Sequence, residues 1–209
     1  MRSVTRRVRS SGNDTQAGVV YSLVSAFERL LSEGRSFTEV SVDQLSKEAG
    51  IARATFYLYF RNKGELVRHL MGQVEKEVRL AATRSMADLE RFGRAEFLAF
   101  MRSVVEINDR HRAAIRAMVE TSAYDAEVAT VYQIFMAHTM RDTRRIIAKL
   151  EGAGRAHPSV TPEVADALSW AVERSCAQML KDGDTAERKQ QIAELLTHIV
   201  WSAIAAPEA

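Results

Sequence analysis

The stretch that decides the fold is VSVDQLSKEAGIARATFYLYF, residues 40–60. Ser41 is followed three residues later by Gln44, which is the pattern of a capping box at the start of a helix. Gly50 is expected to end that helix, and a second, short helix is predicted over residues 53–59. The stretch is therefore predicted to form helix, tight turn and helix, the spacing of a helix-turn-helix unit.

The composition of the second helix favours nucleic acid over simple core packing. Arg53, Thr55, Tyr57 and Tyr59 place four hydrogen-bonding side chains on two turns of helix, and Lys63 follows shortly after. Such side chains suit the base edges and phosphates of a DNA groove better than a hydrophobic interior. A helix, a glycine and a helix would alone be a weak signal, because most such pairs only pack a core.

A longer segment, AGIARATFYLYFRNKGELV at residues 49–67, resembles the signature of the TetR family of bacterial transcriptional regulators. Ala52 departs from it, because the family usually has Ser or Thr there as the helix cap. The resemblance implies an all-α homodimer with a three-helix DNA-binding head. The matching positions are Gly50, Ile51, Ala54, Thr55, Phe56, Tyr57, Tyr59, Phe60, Asn62, Lys63 and Leu66.

The resemblance also implies roles for individual residues. Arg53 is expected to read guanine, since a guanidinium can donate two hydrogen bonds to its O6 and N7 atoms. Tyr57 is expected at a thymine methyl group, and the remaining residues at base edges or backbone phosphates. For the two tyrosines, core packing with a hydrated hydroxyl is the alternative. The DNA-binding residues expected on this basis are Ser41, Arg53, Thr55, Tyr57, Tyr59 and Lys63.

Working outward, the chain is predicted to divide into a flexible basic arm at residues 1–14, a DNA-binding head at 15–62 and a larger body at 63–209. Residues 1–64 hold 10 Lys and Arg against 6 Asp and Glu, whereas the rest hold 19 against 21. This asymmetry favours a polyanion-binding front. The arm could follow a DNA backbone, or it could be an ordinary solvated tail.

The chain has only 3 Pro and 10 Gly in 209 residues, which argues against an all-β fold. Apolar periodicity predicts an all-α protein of about nine helices. A helix over residues 15–33 precedes the helix-turn-helix pair, and one over 63–85 leads from the head into the body. The further body helices are predicted at about 94–108, 112–121, 125–150, 161–181 and 185–205.

The body is predicted to bind a small apolar effector. Residues 111–174 are similar to a mycobacterial subgroup of the same family, the one that represses an ethionamide-activating monooxygenase, and this implies a tunnel for a long or flat apolar molecule. Large aromatic and Met side chains can line such a cavity, although they can equally form a plain core. The expected contacts are Phe97, Phe100, Met101, Val104, Met118, Tyr132, Phe135, Met136, Ser169 and Trp170.

The last two helices are expected to form the homodimer interface. Their apolar stripes could build a four-helix contact with a second copy, and Glu173 and Arg174 could pair across it. An ion pair within one chain is the alternative for these two residues.

Other classes of function have less support in the sequence. No catalytic motif is present, the five His are not spaced as metal ligands, and the one cysteine, Cys176, lies in an apolar stripe. We therefore expect no enzyme activity, no metal and no cofactor. With no secretory signal and no membrane-spanning stretch, a cytoplasmic protein is expected.

The leading hypothesis is a ligand-responsive repressor that binds a near-palindromic operator in double-stranded DNA as a dimer. The alternatives are an activator, a regulator without small-molecule gating, and a helical interaction protein.

Overall fold

A computed structural model describes residues 12–88 and 92–206. The described residues form nine α-helices and no strand, apart from one isolated bridge between Ala156 and Ala205. The all-α prediction is confirmed. The helices are α1 (Gly12–Ser32), α2 (Val42–Glu48), α3 (Arg53–Tyr59), α4 (Lys63–Ser85), α5 (Arg94–Arg110), α6 (Arg112–Thr121), α7 (Ala126–Gly152), α8 (Pro162–Met179) and α9 (Ala186–Ile204).

Two compact units make up the chain, and the boundary between them falls inside α4, between Leu66 and Val67. The sequence predicted this division four residues earlier, after residue 62. Most of the predicted arm, residues 1–11, lies outside the described residues. The helix predicted from residue 15 begins at Gly12, so the last three residues assigned to the arm belong to α1.

The first unit, which we call the head, consists of α1, α2 and α3 packed around a small hydrophobic core. Leu23, Phe27 and Leu30 form the buried stripe of α1, and Phe27 meets Phe37 edge to face at 6.1 Å between ring centroids. Phe56 from α3 is fully buried within the same unit. Ile51, which directly follows the turn at Gly50, is only half-buried.

The turn between α2 and α3 depends on Gly50. Its φ of 68° lies in the left-handed region, which costs glycine little and other residues much. The amide of Ile51 then donates to the carbonyl of Ser46 at 2.9 Å, so that an otherwise unpaired carbonyl of the last turn of α2 gains a partner. This turn fixes the direction in which α3 leaves α2.

The two helices of this pair begin differently. The capping box predicted at α2 is present: Ser41 Oγ accepts from the amide of Gln44 at 3.1 Å, and Gln44 Oε1 accepts from the amide of Ser41 at 2.9 Å. At α3 the cap position is Ala52, whose backbone has the extended conformation of a helix cap (φ −72°, ψ 146°) but whose side chain makes no capping bond. The first amides of α3 therefore receive no side-chain acceptor from the cap residue.

The second unit, the body, is a helical bundle in which α5 packs closely on α9 and α7 on α8. An aromatic cluster joins the start of α5 to the end of α9: Phe97 and Trp201 lie 5.4 Å apart, and Phe92 lies 5.9 Å from Trp201. Thr161 caps α8 with Pro162 as its first residue, and the fixed φ of proline suits that position. No helix among residues 12–88 and 92–206 is long and apolar enough to cross a membrane.

The uncapped start of α3 gives a test of local stability. Replacing Ala52 with Ser should raise the free energy of unfolding of the head by about 1 kcal/mol, because the backbone already has cap geometry and only the acceptor is missing. Chemical denaturation followed by circular dichroism would measure it. Ala54→Ser is the matched control, since it adds the same hydroxyl inside the helix and should bring no gain. Equal effects of the two changes would contradict this account of the cap.

Candidate DNA interface and apolar cavity

One face of α3 is exposed to solvent. Arg53, Ala54, Tyr57 and Leu58 lie on it, and their spacing of one and four residues places them together on a helix surface. Leu58 is 80% exposed and so contributes an apolar side chain to this face. The face therefore combines one cation, one phenol and two apolar groups.

Arg53 is held in place on this face by two neighbours. Its Nη1 donates to Asp43 Oδ2 of α2 at 3.0 Å, and its Nη2 donates to the Tyr57 hydroxyl at 3.4 Å. The guanidinium carbon also lies 5.7 Å from the centre of the Tyr57 ring. The hydrogen bond with Tyr57 and the charge of Asp43 both raise the pKa of Arg53, so the side chain stays charged.

The other residues predicted to bind DNA differ in how freely they can do so. Ser41 is exposed, but its hydroxyl is occupied as the cap of α2. Thr55 and Tyr59 are half-buried on the flank of α3, next to the buried Phe56. The structure thus places Arg53 and Tyr57 at the centre of the exposed face, with Thr55 and Tyr59 at its edge.

Lys63 has a role inside the head that the sequence did not reveal. Its Nζ donates to the carbonyl of Phe37 at 2.7 Å, and it lies 4.5 Å from the centre of the Phe37 ring. The ammonium therefore ties the start of α4 to the loop between α1 and α2. A phosphate contact by Lys63 stays a prediction, and it would have to be compatible with these bonds.

Leu58 is the residue of this face that the sequence analysis overlooked. A signal was available: Leu58 stands four residues after Ala54 and five after Arg53, on the side of α3 opposite Phe56 and Phe60. An apolar side chain on the exposed face of a helix that otherwise carries hydrogen-bonding groups is suited to a thymine methyl group.

The body contains a cavity of about 330 Å³ with mostly apolar walls. This lies at the lower end of the range of about 300–1,000 Å³ for small-molecule sites. Residues of α4, α5, α7, α8 and α9 contribute to the wall, together with Ile115 of α6. Six of the ten residues predicted to contact a ligand line it, namely Phe97, Phe100, Met101, Val104, Phe135 and Ser169.

The other four predicted contacts are not among the lining residues. Met118 and Met136 are fully buried elsewhere in the core of the body. Tyr132 packs edge to face on Trp170 at 5.8 Å between ring centroids, and Trp170 is 40% exposed on the outside of the body. Helical periodicity identifies the inward faces but not which inward residues border a void, and these four fill space or lie outside.

Three hydroxyl groups contribute to the polar part of the wall. Ser169 Oγ lies 2.8 Å from the carbonyl of Ala165 and 3.0 Å from Thr143 Oγ1, and Thr143 Oγ1 donates to the carbonyl of Thr139 at 3.0 Å. Thr139 lines the cavity as well. Of the two hydroxyl-bearing residues among the expected contacts, Ser169 lies on the wall and Tyr132 does not.

Glu173 is the polar residue of the cavity that the sequence analysis missed. It was expected to pair with Arg174 across a dimer interface, but it is buried and lines the cavity. Arg174 Nε is 3.9 Å from Glu173 Oε2 within the same chain. No pattern in the sequence marks a glutamate as facing a void rather than a partner.

Charge and thiol chemistry in the body give no sign of another site. Cys176 is buried, and burial raises the pKa of its thiol to about 12. Within residues 12–88 and 92–206, His, Cys, Asp and Glu form no group of three or more that could hold a metal ion.

Known protein families match both units. Residues 23–70 match the profile of bacterial regulatory proteins of the TetR family, and residues 98–206 match the C-terminal domain of the transcriptional regulator EthR. The chain is 29% identical over 201 residues to the HTH-type transcriptional regulator EthR of Mycobacterium tuberculosis, covering 93% of this chain and 88% of that one. The Mycolicibacterium smegmatis EthR is 30% identical over 205 residues, with 95% and 90% covered.

Solved structures show the same fold. A TetR-family regulator from Rhodococcus sp. aligns with a TM-score of 0.71 at 13% identity, over 92% of this chain and 99% of that one. NalD, described as the secondary repressor of a multidrug efflux pump in Pseudomonas aeruginosa, aligns with a TM-score of 0.67 at 17% identity, over 92% and 100%. From these matches together, the chain belongs to the TetR family of bacterial transcriptional regulators, with a second half of the EthR type.

Proposed function

We propose that this regulator binds a near-palindromic operator in double-stranded DNA as a homodimer, represses transcription there, and is released when a small apolar effector enters the body. The observation that carries the proposal is the exposed face of α3, with Arg53 at its centre. In a helix-turn-helix protein the second helix of the pair lies in the major groove, so this face would meet base edges.

Arg53 is the proposed base-reading residue. A guanidinium held by Asp43 and Tyr57 is oriented before DNA arrives, and so loses less side-chain freedom on binding. Leu58 and the Tyr57 ring lie on the same face and would supply apolar contacts to thymine methyl groups. Thr55, Tyr59 and Lys63 would bind phosphates at the edge, which fixes the position of the protein rather than its sequence preference.

The effector would occupy the cavity in the body. α4 supports this coupling, because its first residues belong to the head and its residues between Val74 and Thr83 contribute to the cavity wall. A ligand can shift DNA affinity only if it binds the two states of the protein unequally. A small displacement of α4 suffices, since two recognition helices must fit major grooves about 34 Å apart.

The homodimer is supported by apolar side chains on the outside of α8 and α9. Trp170, Leu195 and Ile199 are between 40% and 44% exposed. The sequence analysis had assigned a wider stripe to this interface, but Cys176, Ile192, Leu196 and Val200 are buried in the core of the chain itself. The proposed interface is therefore narrower than the apolar periodicity suggested.

Replacing Arg53 with Ala should weaken operator binding by about 1–3 kcal/mol and relax the preference at one base pair, while leaving nonspecific binding nearly unchanged. The operator can be recovered by selecting genomic fragments with the purified protein, and fluorescence anisotropy on operator and scrambled duplexes measures the change. Arg29→Ala is the control, because Arg29 makes a similar exposed ion pair with Glu48 but lies on α1. Equal losses on both duplexes would instead make Arg53 a phosphate contact.

Replacing Lys63 with Met should have two effects. The free energy of unfolding should fall by about 1–2 kcal/mol, because the carbonyl of Phe37 loses a charged donor. Affinity should fall alike for all DNA sequences, and the slope of log affinity against log salt should drop by about one. Lys47→Met, at an exposed lysine of α2, controls for the loss of a charge from the head. Lower stability with an unchanged salt slope would make Lys63 purely structural.

Replacing Val172 with Phe tests the effector site, because Val172 lines the cavity and is only half-buried. The larger ring should abolish the thermal shift caused by apolar compounds and their release of DNA, while operator affinity is retained. Val119→Phe adds the same volume at a half-buried residue that is not part of the wall, and should leave the response intact. If no apolar compound shifts the melting temperature of the unmodified protein, a regulator without ligand gating becomes the better description.

A further inference from the structure

Glu173 is a buried carboxylate with no hydrogen bond. Its side chain is 6% exposed, it lines the cavity, and neither Oε1 nor Oε2 has a hydrogen-bond partner among the described residues. The nearest cation, Arg174 Nε, is 3.9 Å from Oε2, and half of the Arg174 side chain is in solvent. Burial of a carboxylate without hydrogen bonds is costly, and such groups in native proteins call for an explanation.

The energetics of Glu173 follow from this position. Burial raises its pKa, while Arg174 and then the hydroxyl of Tyr132 act to lower it. The Tyr132 hydroxyl lies beside the carboxylate but is itself without a hydrogen bond of normal geometry. A hydrogen-bond donor on a ligand in the cavity would give the Glu173 carboxylate the partner that it lacks and would favour its charged form.

The uncharged polar side chains of the wall have most of their donors in use within the chain. Thr139 and Thr143 both donate to backbone carbonyls, and Ser169 lies 2.8 Å from the carbonyl of Ala165. Asn108 uses its amide group to donate to the carbonyl of Val104 at 2.8 Å. With the hydroxyl protons occupied, the lone pairs of these three hydroxyls are what remain for a ligand.

Most of the charge on the wall is already balanced. Arg79 and Arg145 both bind Asp142, at 2.9 and 3.4 Å, and Glu75 binds His138 at 2.9 Å. Glu173 differs from these groups because it is more deeply buried and its carboxylate oxygens accept no hydrogen bond of normal geometry from the described residues. The wall thus presents a buried carboxylate that lacks a hydrogen bond within an apolar surface, while its remaining cation, Lys149, is exposed to solvent.

We propose that the effector of this regulator is an amphipathic amine: an apolar body that fills the cavity, with a protonated amine that donates hydrogen bonds to Glu173. The proposal rests on the function proposed above, in which the cavity is the effector site. The apolar body would contact α5, where Phe100 and Val104 line the wall. The ammonium would bind Glu173 on α8, with the hydroxyls of Thr143 and Ser169 available as further acceptors on the same wall.

The test uses three probes that share one alkyl chain: n-decylamine, n-decanol and n-decanoic acid, measured at pH 7 below their aggregation concentrations. Isothermal titration calorimetry with the full chain should show the amine binding at least about tenfold more tightly than the alcohol, as expected for a charged hydrogen bond. Glu173→Gln should remove that preference while leaving alcohol affinity within about threefold. The same amine should release operator DNA from the unmodified protein.

Two further variants separate the role of the charge from effects on folding. Glu75→Gln changes another carboxylate of the wall, one that His138 already binds, and should leave the preference for the amine unchanged. Glu173→Asp retains the charge and should keep a preference for the amine even if its affinity is lower. Melting temperatures without probe report whether each variant is folded, and Glu173→Asp remains informative if Glu173→Gln is not.

The outcomes distinguish the proposal of an amine effector from the proposal that the cavity is the effector site. Equal binding of all three probes, or a preference that survives Glu173→Gln, overturns the amine while leaving the cavity as an effector site. Tighter binding of the acid than of the amine overturns the proposal as well. If none of the three probes binds the unmodified protein, both the amine and the effector cavity are contradicted.

Discussion

The burial of Phe56 is the contact on which the DNA-binding surface depends. α3 has seven residues, and a helix of that length is unstable alone in water. Phe56 is fully buried and lies 5.8 Å from Phe60, which anchors one side of α3 in the head. Because that side is fixed, the opposite side with Arg53 and Leu58 must face solvent. The surface that would meet DNA is thus a consequence of hydrophobic packing, and the absent cap at Ala52 is tolerated for the same reason.

The body satisfies a different requirement, since it must be stable and yet contain unfilled space. The cluster of Phe92, Phe97 and Trp201, with the close pairs α5–α9 and α7–α8, supplies the packing. The hydrogen bond from the amide of His157 to the carbonyl of Ile204, at 2.8 Å, also holds the end of α9 against the loop before α8. This rigid frame allows the bundle to keep a cavity that a well-packed core would fill.

Local patterns were enough to predict the helices. Apolar periodicity located every described helix to within a few residues, and the capping box at Ser41 and the cap at Thr161 are short-range features that a sequence displays directly. The residues of the candidate sites were harder to predict from the sequence. Whether Met136 borders a void, whether Lys63 reaches the carbonyl of Phe37, and whether Glu173 faces inward depend on how distant helices pack. Apolar periodicity indicates which side of a helix faces the interior. It does not indicate whether that side packs against another helix or borders a cavity.

The ion pair between Arg53 and Asp43 has a consequence for how the protein would search a genome. Affinity for random DNA comes from cations that displace the counterions around phosphates. A guanidinium already neutralised by a carboxylate 3.0 Å away contributes little to that displacement. On DNA without an operator Arg53 would keep its partner, and the regulator would slide or dissociate easily. A correctly placed guanine offers two acceptors, O6 and N7, in exchange, so Asp43 would shorten the time spent at wrong sites.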